Sequence, residues 1–462
     1  MDKRTYATLV ILTVLGLALR IYWILNIPTQ QLYDFATFLE TASNIYHGRG
    51  HTLSGRPIAW VGPGYSYTLA FFHFIMGSDN PFNAKILNVI LSLATLIMSA
   101  FMYRKWFPYD EVKLVIAYGL TAILPTLIAY NNVAGTETLF LFLLVALILA
   151  RLYIPAGRRQ GVVMGVICAL AALTKPFMLA YPAVAFAMWW MQGKNMRISL
   201  VRTAFMALAM AFVIAPWTIR NYQTFGQFIL ISYNMGYNQL VNNNYANIRG
   251  GWMPLEAVPV PDELREQIEY SLRYRGIQEA YELEPLLGAQ ARHWMIRNPI
   301  AVGQLALMRV QRTFFNGAGD ISEWAMNDFD FYDGRGSSPV RNQRHMHFFE
   351  GLFSIIVNVF SAAGLLFMVI TLWPYMKDFF SGTFIGEALF GMPPFGKTLP
   401  GAGHQRILPA SEAFVFIHIA FFVVIVAAFE GQERYAHPVF IFFIYTVIWL
   451  CSRRNKKQKR QI

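Results

Sequence analysis

Charge is scarce where this chain is most apolar. Charged residues make up 14% of its 462 positions and hydrophobic ones 56%. Apolar stretches follow one another along the chain, and their middles hold almost no ionisable side chain. That rules out a disordered chain and an ordinary soluble domain. Cysteine is nearly absent: Cys168 and Cys451 both fall within apolar stretches, which argues against a disulfide framework. There is no Gly-rich phosphate loop ending in Lys-Ser/Thr, which argues against an ATP-driven pump. A concentrated basic patch is missing too. The net charge of +12 is scattered over many short loops, so nucleic acid is a poor partner.

What the chain does have is helix of membrane length. A hydrocarbon core of about 30 Å takes about 20 apolar residues of helix. Suitable stretches lie at 6–27, 82–103, 112–130, 137–153, 160–174, 177–192, 199–219, 348–373, 411–429 and 437–452. The first is too long for a signal-peptide core and lacks a small-residue cleavage site, so it reads as a retained span. The segment 160–192 reads as two short helices turning at Thr174-Lys175-Pro176, or as a single broken span. Lys and Arg gather in alternate connections: Lys3 and Arg4; Arg104, Lys105 and Lys113; Arg151, Arg158 and Arg159; Lys194, Arg197 and Arg202; and the tail RRNKKQKR from Arg453. The opposite connection 131–136 has none. Both termini are therefore expected in the cytoplasm of a multi-pass plasma-membrane protein, and the broken-span alternative, which would put the tail outside, is disfavoured.

Three regions follow. Residues 1–219 form an N-terminal transmembrane module that includes a first outer loop, 28–81. Residues 220–347 form an extracytoplasmic helical domain, and 348–462 the C-terminal spans and basic tail. In the first loop, an amphipathic stretch at 33–47 and an apolar one at 65–76 are too short to cross and should lie along the surface. In 220–347, helices are expected over 261–274, 277–297 and from 298 to about 315. The Gly- and Pro-rich segment 374–410 reads as an interfacial loop.

Polar residues collect in the odd-numbered connections: Asp34 and Glu40, then Glu137, Lys175, Arg220 and Asn221, and last Glu433 and Arg434. If those connections share one side of the membrane, the residues can converge on one face.

Several strings carry a resemblance: GTETLF at 135–140, APWTIRNYQTFGQFILIS from Ala215, NMGYNQLVNNN from Asn234, ERYAHP from Glu433, and YDFATFLETASNIYHGRG followed by VGPGYSYTLA in the first outer loop. In this order, along nearly the whole chain, they resemble bacterial membrane glycosyltransferases of the C-type fold (GT-C), in the branch related to protein O-mannosyltransferases and aminoarabinose transferases. The resemblance implies an all-α polytopic GT-C-type bundle of about ten transmembrane helices, with interfacial helices and a small extracytoplasmic domain. It implies transfer of a sugar from a polyprenyl-phosphate donor to an acceptor hydroxyl on a lipid, glycan or protein, usually with inversion. Many relatives carry an acidic pair in the first loop; here Asp34 is followed by Phe35.

An acceptor hydroxyl must lose its proton as it attacks, so a carboxylate can serve as general base. Asp34, just beyond the first span, is the candidate; its plainer role is to cap the helix beginning near Phe35. The leaving lipid phosphate calls for cations, and Arg suits bidentate contact better than Lys. Candidates are Arg20, Lys175, Arg220 and Arg434. Arg20 stands inside the first span, where a charge is by default a functional signal, though it could snorkel to the headgroups. Lys175 could instead favour the dipole of the helix it ends, and Arg434 could be an interfacial anchor beside Tyr435 and His437. Glu137 begins a span, with Thr136 a candidate cap. Tyr65, Asn238, Asn242 and Asn243 are candidates for sugar-hydroxyl contacts, although Asn clusters are also common in turns.

Other motifs carry less. Asp328-Phe329-Asp330 resembles a metal-binding acidic pair but lies in an outer loop, where nucleotide donors are not expected. His345 and His347 lack a third ligand. Some relatives use a divalent cation, yet no dedicated oxygen cage is legible. The competing readings are a flippase or transporter of a lipid-linked saccharide, which would place charges near the bilayer midplane, and a lipid-linked oligosaccharide polymerase.

Overall fold

The computed structural model describes residues 1–193, 195–274, 276–327, 340–380 and 410–458. All ten expected apolar stretches are helical in it. Helix α1 (Lys3–Asn26) opens on Asp2, whose carboxylate accepts from the Thr5 amide at 2.6 Å, a side-chain N-cap. The next two helices, α2 (Asp34–Tyr46) and α3 (Gly64–Met76), are 13 residues each. At 1.5 Å per residue that is roughly 20 Å, too short to cross. Between them β1 (Thr52–Leu53) and β2 (Arg56–Pro57) form a hairpin. Ser54 and Gly55 turn it with φ of 49° and 79°, the two positive values a type I′ turn requires.

The crossing helices then alternate. α4 (Phe82–Trp106) is followed by α5 (Glu111–Ile123) and α6 (Pro125–Ala129), one span bent by 51°. Pro125 has no N–H and drives Leu124 out of the helical region, to ψ 124°. α7 (Thr136–Tyr153) is the most enclosed span. The expected hairpin is present as α8 (Arg158–Thr174) and α9 (Tyr181–Gly193), joined by Lys175 and the 3-10 turn Pro176–Ala180. α8 lies against α10 (Met196–Phe225) through glycine: a Cβ on Gly165 would stand 2.4 Å from the Met206 carbonyl oxygen.

A polar, mostly helical stretch follows: α11 (Met235–Asn242), α12 (Asp262–Tyr274), α13 (Glu284–Arg297) and α14 (Pro299–Phe315). The second of the three expected helices starts later than the sequence suggested. Residues 277–283 form two short 3-10 turns, and α13 begins only at Glu284, with Pro285 in the first turn where its missing N–H is harmless. The last helices are α15 (Val340–Phe380), α16 (Ala410–Ala428) and α17 (Phe440–Gln458).

Among the described residues, seven helices are long and apolar enough to cross a membrane, and the bent pair makes an eighth. α8 and α9, at 17 and 13 residues, are shorter. Short connections make successive spans antiparallel. The C-terminal ends of α1, α8, α10 and α16 therefore meet the N-terminal ends of α4, α7, α9 and α17 at one end of the bundle. One continuous apolar core runs from Trp23 through α7 and α8 to the aromatic run at the start of α17. Much of the loop expected at 374–410 lies outside the described residues, as do Asp328, Phe329, Asp330, the side chains of His345 and His347, and the end of the basic tail.

Candidate functional site

Asp34 is the first residue of α2. The residue before it, Tyr33, has φ 51°, and no side chain caps the helix. The capping role expected for Asp34 is therefore not what its carboxylate does. It faces Arg434 instead, with Oδ2 3.7 Å from Nη2. Asp34 is the more open partner, 39% exposed against 14% for Arg434, so a hydroxyl can reach it.

Arg434 lies in the 3-10 turn Glu433–Val439 that leads into α17. Its guanidinium stands 5.6 Å from the Phe35 ring and 5.3 Å from the Tyr435 ring, positions suited to cation–π attraction. The Tyr435 hydroxyl donates to Glu430 Oε2 at 2.9 Å, and the Gln432 amide donates to the other oxygen. Lys175 approaches the Tyr435 ring to 5.6 Å and donates to Glu137 Oε1 at 3.2 Å. Two ion pairs, Asp34–Arg434 and Glu137–Lys175, thus flank one tyrosine.

Local sequence explains the placement. Pro176 ends α8 at Lys175. The Gly62-Pro63-Gly64 turn rests on that helix end: a Cβ on Gly62 would be 2.3 Å from the Leu173 carbonyl oxygen, and one on Gly64 2.4 Å from Thr174 Oγ1. Gly135 plays the same part for Glu137, since a Cβ there would stand 2.6 Å from its Oε2 and 2.7 Å from the Phe35 ring. Gly135 also occupies the cap position of α7; the Thr136 cap expected from sequence is not made.

Burial sets the electrostatics. It pushes the Lys175 ammonium below its ordinary range, with Glu137 opposing, and it raises the Glu430 carboxyl, with Arg434 opposing. Asp320, which accepts from Tyr130 Oη, is pushed up to about 7 by burial. The Tyr130 ring packs on His437 at 4.9 Å. Three buried atoms here have no partner among the described residues: Glu137 Oε2, Arg434 Nε and His437 Nδ1. Native proteins seldom leave such groups unpaired, so they mark capacity for a ligand or water.

The other candidates lie apart from these ion pairs or have protein partners of their own. Arg20 is 1% exposed and does not snorkel; it donates to Ser92 Oγ at 2.7 Å, to the Gly16 carbonyl at 2.9 Å and to the Ala122 carbonyl at 3.0 Å. Arg220 binds the carbonyls of His51 and Ile58 and the Asn221 side chain. Asn221 in turn donates to the carbonyls of Ile229 and Ile231. Glu40 accepts from the Ser54 amide in the hairpin turn. Tyr65 is buried and directs its hydroxyl to Asn88 at 3.4 Å. Asn243 accepts from Arg309, while Asn238 is half-buried on α11. Glu433 accepts from the Asn316 amide. The sequence reading missed Glu430 and Asp320. Glu430 was within reach, three residues before Glu433 in the same connection; Asp320 had no local signal.

Among the described residues no three His, Cys, Asp or Glu side chains converge as a metal cage. The acids at the ion pairs already face Lys175 and Arg434. Among the described residues this donor set does not fit a resident metal.

No protein-family model and no curated protein sequence matches the chain. Its fold does match solved structures. The Archaeoglobus fulgidus oligosaccharyltransferase in complex with zinc and sulfate gives a TM-score of 0.50 at 15% identity, over 98% of this chain and 50% of that one. Oligosaccharyltransferase AglB from the same organism, in complex with an inhibitory peptide and a dolichol-phosphate, gives 0.51 at 12% identity over 99% and 51%. ArnT from Cupriavidus metallidurans, bound to undecaprenyl phosphate, gives 0.43 at 10% identity over 95% and 77%. The chain spans about half the length of the oligosaccharyltransferases it matches. At these identities the likeness is one of fold: a polytopic helical membrane protein of the C-type glycosyltransferase fold, as the motifs in the sequence implied.

Proposed function

We propose that this protein transfers a sugar from a polyprenyl-phosphate donor to an acceptor hydroxyl at the extracytoplasmic membrane face, with both termini in the cytoplasm. The observation that carries the reading is the Asp34–Arg434 pair, standing beside Glu137–Lys175 across Tyr435. The fold match to an enzyme solved with a dolichol-phosphate supports it. The acceptor O–H gives its proton to the Asp34 carboxylate as its oxygen attacks the anomeric carbon. The bond from that carbon to the phosphate oxygen breaks, and polyprenyl phosphate leaves. A single displacement of this kind inverts the anomeric configuration. Arg434 and Lys175 are the phosphate-side cations, since Arg434 Nε is unpaired and the Lys175 ammonium has three donors. Glu137 holds Lys175, and its unpaired Oε2 suits a sugar hydroxyl. The helical segment from 220 to 347 is the candidate for choosing between protein, lipid and glycan acceptors.

The test is transfer in detergent, where no vectorial transport can be measured. Asp34→Asn should abolish it, a loss of about 10²–10⁴-fold, with the size-exclusion profile unchanged. Unchanged transfer would remove Asp34 as the base. Mass spectrometry of co-purified lipid would name the sugar, and a product built from oligosaccharide blocks would favour the polymerase reading.

A further inference from the structure

Arg309 on α14 is fully buried, and among the described residues no carboxylate lies within ion-pair distance of it. Its fork reaches two elements instead. Nη2 donates to the Asn242 carbonyl at 2.7 Å and to Asn243 Oδ1 at 2.8 Å, at the end of α11. Nη1 donates to the carbonyls of Ala427 at 3.0 Å and Ala428 at 3.4 Å, at the end of α16. The last carbonyls of a helix have no partner within it. One guanidinium therefore closes two helix C-termini at once, where a cation is also favoured by the dipoles.

The backbones beside it nearly touch. Gly431 N–H donates to the Gly250 carbonyl at 3.0 Å, and a Cβ on Gly431 would stand 2.7 Å from Arg309 Cα. The segment following α16 is thus pinned from the side of α14 and from the 250 turn. It goes on directly to Glu430, whose carboxylate takes the Tyr435 hydroxyl, and to Arg434.

We infer that Arg309 is a positioning residue for the Asp34–Arg434 pair: it sets where residues 427–434 lie and, through them, how far Arg434 stands from Asp34. The inference rests on the reading of that pair as the reacting centre. Arg309 Nη1 and Nη2 serve four acceptors in a closed interior, while its Nε is buried without a partner among the described residues. It is the two helix ends joined by its fork, not filled capacity, that mark it as positioning. Lysine is a compact point charge and cannot bridge both sets of acceptors as the planar fork does.

Two measurements on the full chain test it. In a chain with Cys168→Ser and Cys451→Ser, the pair Asp34→Cys and Arg434→Cys is cross-linked with a short bismaleimide. Adding Arg309→Lys should cut the yield roughly threefold or more. In the chain with Asp34 and Arg434 intact, Arg309→Lys should raise the donor KM roughly tenfold and leave the acceptor KM unchanged. A loss of folded fraction alone would lower apparent kcat and move neither KM. Asn243→Ala removes one acceptor without altering Arg309; it should shift yield and donor KM the same way by less, and it keeps the test open if Arg309→Lys does not fold. An unchanged cross-link yield in both variants overturns the inference. A reduced yield with unchanged transfer supports the joint and overturns the reading of the pair as the reacting centre.

Discussion

Two arginines, one buried in the body of the bundle and one half-buried at its mouth, look alike in sequence and differ in what surrounds them. Arg20 stands in α1 with its guanidinium on Ser92, Gly16 and Ala122. Pro125 breaks the helix at Leu124 and leaves the Ala122 carbonyl among the last four of α5, which have no partner of their own. Arg20 supplies the missing donor. Arg434 faces an acid at 3.7 Å, leaves Nε unpaired, and has other unpaired polar atoms near it. An arginine enclosed by a helical bundle thus has two physical explanations. One repairs a backbone, and the other leaves hydrogen-bonding capacity unfilled. Unused hydrogen-bonding capacity beside a counter-charge separates them.

Swapping the expected consequences would break this comparison. Arg434→Gln should lower transfer by about 10²–10³-fold, the scale of losing one donor at a developing charge, and leave thermal unfolding in detergent nearly unchanged. Arg20→Met should do the reverse, costing about 1–3 kcal/mol for the groups it strands with turnover per folded molecule intact. Parallel melting and transfer assays decide it, and a melting loss for Arg434→Gln as large as that of Arg20→Met would erase the distinction.

The second ion pair sharpens the point. Glu137 is 2% exposed and Lys175 12%. Lys175→Met leaves a buried carboxylate alone, which costs about 3–5 kcal/mol. Adding Glu137→Gln should recover most of that stability but not transfer, since the cation is still gone. Recovery of transfer in the double variant would place Lys175 outside the phosphate side.

The apolar helices were legible because run length and composition are local properties of a sequence. The bend at Leu124 could be anticipated from Pro125, though not its use, because the partner of Ala122 lies 102 residues away on α1. Asp34 and Arg434 were both named from sequence, but their meeting depends on the packing of α2 against the turn before α17. Tyr65 and Asn243 fell to the interior for a related reason: sequence shows a polar side chain and hides the buried group that claims it. Asp320 was illegible outright. Its importance comes from Tyr130, far away in sequence, and from burial between elements.

Asp320 also gives the comparison a pH axis. Burial pushes its carboxyl up to about 7 in the folded chain, from an ordinary 3.8. Between those values the folded chain keeps a proton that the unfolded chain has lost. Stability therefore falls as pH rises through that window, and the penalty is complete above about 7, at most about 4 kcal/mol. Asp320→Asn removes the charge and can still accept from Tyr130. Its melting temperature should exceed that of the parent at pH 8, and the gap should close as pH approaches 4. A gap independent of pH would mean that Asp320 is not the titrating group.

Arg220 provides the smallest and most exacting test. It resembles Arg20 in giving its donors to the carbonyls of Ile58 and His51 and to Asn221, and it resembles Arg434 in standing over aromatic rings, 4.8 Å from Trp217 and 5.4 Å from Phe225. If filled hydrogen-bonding capacity is what disqualifies a cation from the phosphate side, Arg220 falls with Arg20. Arg220→Lys should then cost about 1 kcal/mol for the weakened bonds and leave the donor KM where it was. The ring contacts argue the other way only if a phosphate can draw the guanidinium off two main-chain carbonyls. That exchange would appear as a donor KM that rises with Arg220→Lys while the melting temperature stays put.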